Sequence, residues 1–250
     1  MIDYEKTLLA VGEITRQDLA QKEGTKPTEL AAMDKDLEKR KARIAQLEQV
    51  GLEIPAGDYI FLPYTDDEKQ VLKDDGAVVY LLEGESIGSQ KRGGKRFWSD
   101  WHNGHPIEDL TSRIYEVAIW PDPEKFFVPG TSNKSKKRQE ELVRADGEKI
   151  RARLGIPNFT EILPETPEVT EVMFRHFDLT NVRLLGEAYT TKEGYWLYVR
   201  NNTPTNESGS RVADVGRFYA GHGPHVYSWR ARESSPRICS ARWGVKIVSR

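Results

Sequence analysis

The chain has 250 residues, which is enough to bury a substantial hydrophobic core without disulfide or metal support. Its 37 Lys and Arg residues against 39 Asp and Glu residues give a formal charge of −2, which excludes a uniformly basic nucleic-acid coat and a bulk acidic tail. A single cysteine, Cys239, excludes an intrachain disulfide scaffold. The first ten residues carry charges instead of a signal-peptide core, and no apolar run is long enough to cross a bilayer. We therefore expect a soluble protein without a signal peptide, synthesised in the cytoplasm.

The N-terminal residues have the apolar spacing of helices. An apolar stripe at heptad positions predicts a helix over 28–50, with Gly51 and Pro55 as its stop signal. Apolar residues upstream predict a second helix that ends near Gly24. We expect residues 1–54 to form a helical hairpin or stem, which either packs on its own domain or pairs as a homo-oligomeric coiled coil.

A change to short β-rich segments after Pro55 predicts a domain boundary and a β-containing portion over 55–110. Strands are predicted at 58–62, 77–82 and 114–120. The glycine-rich run 88–95 resembles a phosphate loop, but Arg96 follows where Ser or Thr would bind magnesium. We expect an exposed basic hairpin or loop there.

The region from 134 onward predicts two helices followed by strands. A helix is predicted over 134–154 with an interruption at Gly147, and a second helix begins at the cap and proline of Thr166 and Pro167. Strands are predicted at 195–199, 215–219 and 243–248, with a polar loop over 201–210. This order predicts an α+β fold in which helices lie beside a mostly antiparallel sheet.

Catalytic and metal-binding patterns are weak. Two His-x-x-His pairs, His102 with His105 and His222 with His225, lack the spacing of a zinc finger and are better interpreted as surface residues. Cys239 lacks the spaced His and Asn or Asp residues that accompany a catalytic cysteine, and there is no Gly-x-Ser-x-Gly motif. We therefore expect no enzymatic activity, no metal and no cofactor.

The C-terminal segment has the only distinctive chemistry. Residues 211–250 contain seven Arg and one Lys against Asp214 and Glu233, a local charge of +6, interleaved with aromatic residues and histidine. Such mixtures are typical of adaptable recognition surfaces, and also of surfaces that bind RNA or single strands. Residues 220–242 lack a strand or helix period, which favours loops and short strands held on a rigid scaffold.

The run 215–245, VGRFYAGHGPHVYSWRARESSPRICSARWGV, resembles the variable region of target proteins of diversity-generating retroelements. The resemblance covers roughly 110–250 and implies a C-type lectin fold of the formylglycine-generating-enzyme subtype over 111–250, with a hypervariable region at about 216–242. The chain departs from the common Gly-Gly-Ser-Trp pattern because Tyr227 precedes Ser228 and Trp229. It also lacks the paired cysteines of the oxidase relatives, so catalysis of that kind is not expected.

The resemblance implies a hypervariable receptor-type protein of viral or microbial origin, displayed on a virion or cell surface, that binds a protein or other macromolecular ligand. Residues of types reachable from an Asn codon by adenine mutagenesis would be variable and face solvent, whereas residues that hold turns and core would be fixed. The fixed positions would be Gly216, Phe218, Gly221, Trp229, Pro236, Gly244 and Val245. The ligand-binding positions would be Arg217, Tyr219, Ala220, His222, His225, Tyr227, Ser228, Arg230, Arg232, Ser235, Arg237, Ile238 and Cys239. An RNA-binding or single-strand-binding module that uses the same basic aromatic segment is the alternative.

Overall fold

A computed structural model describes residues 59–98 and 102–249 of the chain, together with a few isolated positions between 16 and 41. The chain divides into two compact units, Met1–Ile60 with Ser249–Arg250, and Phe61–Val248. Within the described positions of the first unit, Arg16 and Asp34 are both helical and form an ion pair at 2.7 Å. Most of the predicted helical stem and its oligomer contacts lie outside the described residues and stay predictions.

The described part of the second unit is a mixed α+β structure, as the order of predicted elements implied. Five α-helices follow in chain order: α1 (Asp66–Asp74), α2 (Ile87–Arg92), α3 (Pro123–Phe126), α4 (Lys136–Leu154) and α5 (Thr166–Thr180). The strands are β1 (Tyr59–Leu62), β2 (Val78–Leu81), β3 (Glu116–Ile119), β4 (Phe159–Glu161), β5 (Tyr198–Pro204), β6 (Arg211–Tyr219), β7 (Gly223–Arg230), β8 (Ile238–Cys239) and β9 (Gly244–Ser249).

The first sheet has the order β1-β9-β3-β2, and β4 also pairs with β9. Strand β2, from the portion predicted as 55–110, pairs antiparallel with β3, so that Val79 lies opposite Ala118. At Gly244 a Cβ atom would lie 2.6 Å from the ring of Phe159, which is too close for any residue with a side chain unless the ring moves. The close contact between β9 and Phe159 therefore depends on the glycine.

The second sheet has the order β7-β6-β5-β8 and carries most of the predicted variable residues. Strands β5, β6 and β7 are antiparallel, whereas the short β8 runs parallel to β5. Val199, Val215 and Val226 are fully buried in the main hydrophobic core, where they join residues of α5 such as Val172 and Met173. One face of this sheet is therefore the core face, because side chains alternate between the two faces of a strand.

Helix α4 is continuous from Lys136 to Leu154, so the expected interruption at Gly147 does not occur. The glycine is needed for packing instead. A Cβ atom at Gly147 would lie 2.5 Å from the backbone nitrogen of Glu161, which lets β4 lie directly against the helix. Helix α5 begins one residue before the predicted start, because Glu165 is the cap and Thr166 is already helical, and it ends before Asn181 as predicted.

Two local predictions are wrong. The run 88–95 is not a loop over its first half, because the side chains of Ser86 and Ser89 each accept a hydrogen bond from the other's backbone nitrogen and start α2. The polar run after 201 is strand up to Pro204, because Asn201 and Thr203 are buried in β5 instead of lying in solvent. In both segments tertiary burial and local capping override the polar composition.

Among the described residues, the helices do not include one that is long and apolar enough to span a membrane.

Candidate functional site

The β6–β7 hairpin has one face against the core and an opposite face that carries some of the predicted variable residues. Val215 pairs with Val226 toward the core, and the next pair along, Asp214 with Tyr227, belongs to the other face. Tyr227 is 39% exposed there. Residues 220–242 show no strand period in the sequence, yet they contain the eight-residue strand β7, because its outer side chains are polar or aromatic.

The thirteen predicted positions do not share one environment. Six are exposed and four are partly exposed, but His225, Ile238 and Cys239 are buried, so the prediction that they face solvent is wrong. His225 lies beneath a tryptophan ring, and the other two form β8, which pairs with β5 at the edge of the second sheet. The exposed positions are Ala220, His222, Tyr227, Arg230, Arg232 and Arg237, and the partly exposed ones are Arg217, Tyr219, Ser228 and Ser235.

The predicted fixed positions also divide. Gly216, Phe218, Gly244 and Val245 are buried, as residues of a scaffold would be. Trp229 was expected in the core, yet it is 38% exposed and lies two residues along β7 from Tyr227, on the same face. Gly221 and Pro236 are exposed in turns. Trp229 therefore adds an aromatic side chain to the outer surface instead of filling the core.

Gly216 is required by the packing of the outer face. A Cβ atom there would lie 2.5 Å from the carbonyl oxygen of Leu197 and 2.7 Å from the ring of Tyr198, its partner on β5. The missing side chain lets the Tyr198 ring lie across β6 and contact Tyr227 edge to face, with ring centroids 5.5 Å apart. A fixed glycine therefore supports the position of two aromatic rings on the surface.

Trp98 also belongs to this surface, although no sequence pattern predicted it. Its backbone nitrogen donates to the carbonyl oxygen of Pro224 at 3.1 Å, and a Cβ atom at Gly223 would lie only 1.7 Å from the carbonyl oxygen of Arg96. The segment before Trp98 is thereby held against the start of β7. The indole stacks on His225, with centroids 4.7 Å apart and the planes at 16°. Trp98 and Pro224 are more than one hundred residues apart in the chain, so no local pattern connects them.

Arg217 organises the rings around Trp98. It has a left-handed φ of 53° at an irregularity in the β6–β7 pairing, which a non-glycine residue adopts only at a cost. Its Nε atom donates to the hydroxyl of Tyr219 at 2.8 Å, and the guanidinium lies 4.7 Å from that ring's centroid and 5.8 Å from that of Trp196. We use the name aromatic face for the outer surface formed by Trp98, Trp196, Tyr198, Arg217, Tyr219, His222, His225 and Tyr227.

Burial shifts the pKa values of two rings of the aromatic face, His225 and Tyr198, away from their ordinary values. Burial lowers the pKa of His225 to about 4, and the positive charge of Arg217 adds to this shift. Burial raises the pKa of Tyr198 to about 12. Two predicted surface histidines are in fact fully buried, His225 here and His102 beside Phe97.

The recognition loop, residues 230–238, is held through its main chain. Carbonyl oxygens of seven of its residues accept hydrogen bonds from donors outside the loop, namely those of residues 230, 231, 233, 235, 236, 237 and 238. The buried side chain of Arg200 makes three of these bonds, at 3.0 to 3.3 Å, to residues 230, 231 and 233. The backbone nitrogen of Tyr198 donates to residue 237 at 2.8 Å, and Gln139 donates from α4 to residue 238. Most of the loop's side chains take no part in these bonds.

Arg200 also lies opposite a buried carboxylate. It pairs in register with Asp214 of β6, and both side chains are buried. One oxygen of Asp214, Oδ1, has no hydrogen-bond partner among the described residues. Burial raises the pKa of Asp214 to about 7, and the positive charges of Arg200 and Arg211 oppose that shift. The interior beneath the aromatic face therefore contains a charge pair that is sensitive to pH.

No protein-family model, curated protein or solved structure matches this chain. What the site can bind follows from its own side chains. In the described residues no group of three or more His, Cys, Asp and Glu side chains is placed to hold a metal ion. Burial raises the pKa of the Cys239 thiol to about 11, which keeps it protonated and unreactive at neutral pH.

Proposed function

We propose that this chain is a non-enzymatic binding protein in which residues 216–242 are a hypervariable recognition surface, diversified by a retroelement. The observation that supports this most strongly is the attachment of the recognition loop through backbone carbonyl oxygens. A carbonyl oxygen is present whatever side chain the residue carries, so substitutions in the loop preserve these bonds. Such a loop can change its contact surface without losing its conformation.

The aromatic face and loop supply suitable contact groups. Tyr and Trp give a large contact area with few rotatable bonds, and Arg adds forked hydrogen-bond donors. Tyr227, Trp229, Arg230, Arg232 and Arg237 are all exposed. The expected ligand is a protein or another macromolecule, met where the protein is displayed on a virion or a microbial cell surface.

A C-type lectin-like scaffold belongs to the same proposal. Two helices, α4 and α5, precede the strands of the second sheet in the chain, and the three longest strands of that sheet are antiparallel. This order agrees with the arrangement that the resemblance implies. The shared α+β class supports it, and a solved structure of the chain would test the lectin topology directly.

The burial pattern refines which positions should vary. Ala220, His222, Tyr227, Arg232 and Arg237 are exposed, and a change of side chain there removes no core contact. Ile238 and Cys239 are buried in β8, where a bulkier or charged side chain would have to displace the core. Diversity should therefore be greatest at the exposed positions and restricted to small or apolar types at the buried ones.

Deep sequencing of the 3′ end of the gene across its source population tests the proposal. We expect substitutions concentrated at the exposed codons between 217 and 237, with codons for Gly216 and Phe218 constant. Codons for exposed residues of α4, such as Arg144 and Lys149, are the matched control and should show only background variation. Uniformly low variation along the gene would reject the retroelement.

The alternative is an RNA-binding or single-strand-binding module. Its support is the combination of exposed arginines, such as Arg232, with the exposed rings of Tyr227 and Trp229. Titration of a labelled U20 oligonucleotide at increasing salt tests it. Binding that weakens steeply with salt and ignores base sequence would support this module, and no binding at 50 mM salt would reject it.

A further inference from the structure

We infer that the ligand of the recognition loop is an acidic segment of a protein, whose carboxylates bind the guanidinium groups of Arg232 and Arg237. This inference rests on the proposed function and specifies the chemistry of its partner. It follows from the charges that the loop leaves unpaired and from the way in which neighbouring side chains already cover the faces of the rings.

The exposed charge of the loop is positive and incompletely paired. Arg230 forms an ion pair with Glu233, the one acidic residue of the loop, at 2.5 Å. Neither Arg232 nor Arg237 forms an ion pair within the described part of the chain, and both are exposed. A guanidinium binds a carboxylate through two parallel hydrogen bonds, which makes these two residues the natural acceptor sites for an acidic ligand.

The surroundings of Arg232 are shaped for a side chain. An open concavity of about 390 Å³ is lined by Arg232 and by Ser135, Lys136, Lys137, Glu140 and Ala231. Lys136 pairs with Glu140 on the same helix, which leaves Lys137 and Arg232 as the net positive charge at this edge. A carboxylate that enters this concavity is attracted by Lys137 and Arg232, and that attraction grows as the distance to each cation falls.

The rings favour a protein over a nucleic acid. Base binding needs an open aromatic face for stacking. Here His225 lies against the face of Trp98, the guanidinium of Arg217 lies over Tyr219, and that of Arg237 lies over Tyr195. These contacts occupy one face each of Trp98, Tyr219 and Tyr195, and the exposed Tyr227 and Trp229 lie beside guanidinium donors, a combination typical of protein interfaces.

Selection from a displayed library of random dodecapeptides tests the inference with the full chain as bait. For the unmodified chain, we expect Asp and Glu to be enriched at least twofold in the selected peptides relative to the starting library. The charge-reversed variant Arg232→Glu/Arg237→Glu should lose this enrichment and select Lys and Arg instead. A thermal melt of the variant should match that of the parent, because both side chains are exposed and their backbone bonds persist.

The matched control is Lys149→Glu/Arg151→Glu, which makes the same change in net charge at the far end of α4. It should select acidic peptides as the parent does. The inference is overturned if the parent shows no acidic enrichment, if enrichment survives in Arg232→Glu/Arg237→Glu, or if U20 RNA binds the parent more tightly than the best peptide. Codon variation in the population is read without any ligand, so its outcome judges the proposed function separately.

Discussion

Replacing Arg200 with methionine tests whether one buried side chain holds the recognition loop. Its guanidinium donates three hydrogen bonds to loop carbonyls, at 3.2, 3.3 and 3.0 Å. Hydrogen bonds from charged donors each contribute about 1.5–3 kcal/mol, and the lower end applies here because the loop is exposed and water can replace the donor. We expect Arg200→Met to reduce the free energy of unfolding by about 4 kcal/mol. In a chain of this length that corresponds to a fall in Tm of roughly 8–16 °C.

The assay is urea unfolding at pH 8, combined with hydrogen exchange of peptides that cover the recognition loop. Exchange in the loop should accelerate more than exchange in α5, because the lost bonds are in the loop. Arg144→Met, at an exposed position of α4, is the matched control and should change stability by less than about 0.5 kcal/mol. A loss below about 1 kcal/mol, with exchange in the loop unchanged, would refute this account of the loop.

Asp214 provides a second arm of the same experiment. Removal of Arg200 leaves the Asp214 carboxyl buried without its nearest opposite charge, and a buried unpaired charge is costly. The double variant Arg200→Met/Asp214→Asn should therefore be more stable at pH 8 than Arg200→Met alone, by at least about 1 kcal/mol. An equal or lower stability would show that the two side chains do not interact appreciably.

Three further predictions concern the aromatic face and the strands beneath it. Folding raises the pKa of Asp214 to about 7, so the folded chain binds this proton more tightly than the unfolded chain does, and the resulting stabilisation is lost as the pH rises through 7. In urea unfolding, the stability of Asp214→Asn relative to the parent should therefore increase between pH 5 and pH 8. Gly216→Ala should cost at least about 3 kcal/mol in the same assay, because the new Cβ atom would lie 2.5 Å from a backbone carbonyl oxygen. Trp98→Ala exposes the imidazole of His225, so its pKa, measured by NMR titration, should rise from about 4 toward the ordinary value, whereas Trp229→Ala should leave it unchanged.

Local patterns in the sequence were sufficient for the elements whose signals lie within a few residues. The Thr166 and Pro167 signal located the start of α5 to within one residue, and the β-rich runs located β1, β2 and β3. The α+β class followed from their order. Capping and alternation are local effects, so they can be read from neighbouring residues alone.

Within the candidate site, composition correctly singled out an unusual segment but not the environment of each residue. Arg, Tyr and His types marked 211–250 as a surface with binding chemistry. Composition did not predict the exposure of individual side chains. Cys239 is buried in β8, which pairs with β5, whereas Trp229 lies on the outer face of β7 and is exposed. Side-chain type does not specify which face of a strand is covered.

Tertiary structure alone decided the rest. Trp98 joins the aromatic face because Gly223 allows the chain at Arg96 to approach β7, a contact between residues more than one hundred positions apart. Arg200 donates hydrogen bonds to the recognition loop from β5, which extends into the run 201–210 that was predicted to be a polar loop. The sequence by itself determined the α+β class and singled out the segment proposed as the binding surface, because those depend on local order and composition. Which side chains of that segment are exposed depends on long-range contacts, which exist only after the two sheets and their helices have packed together.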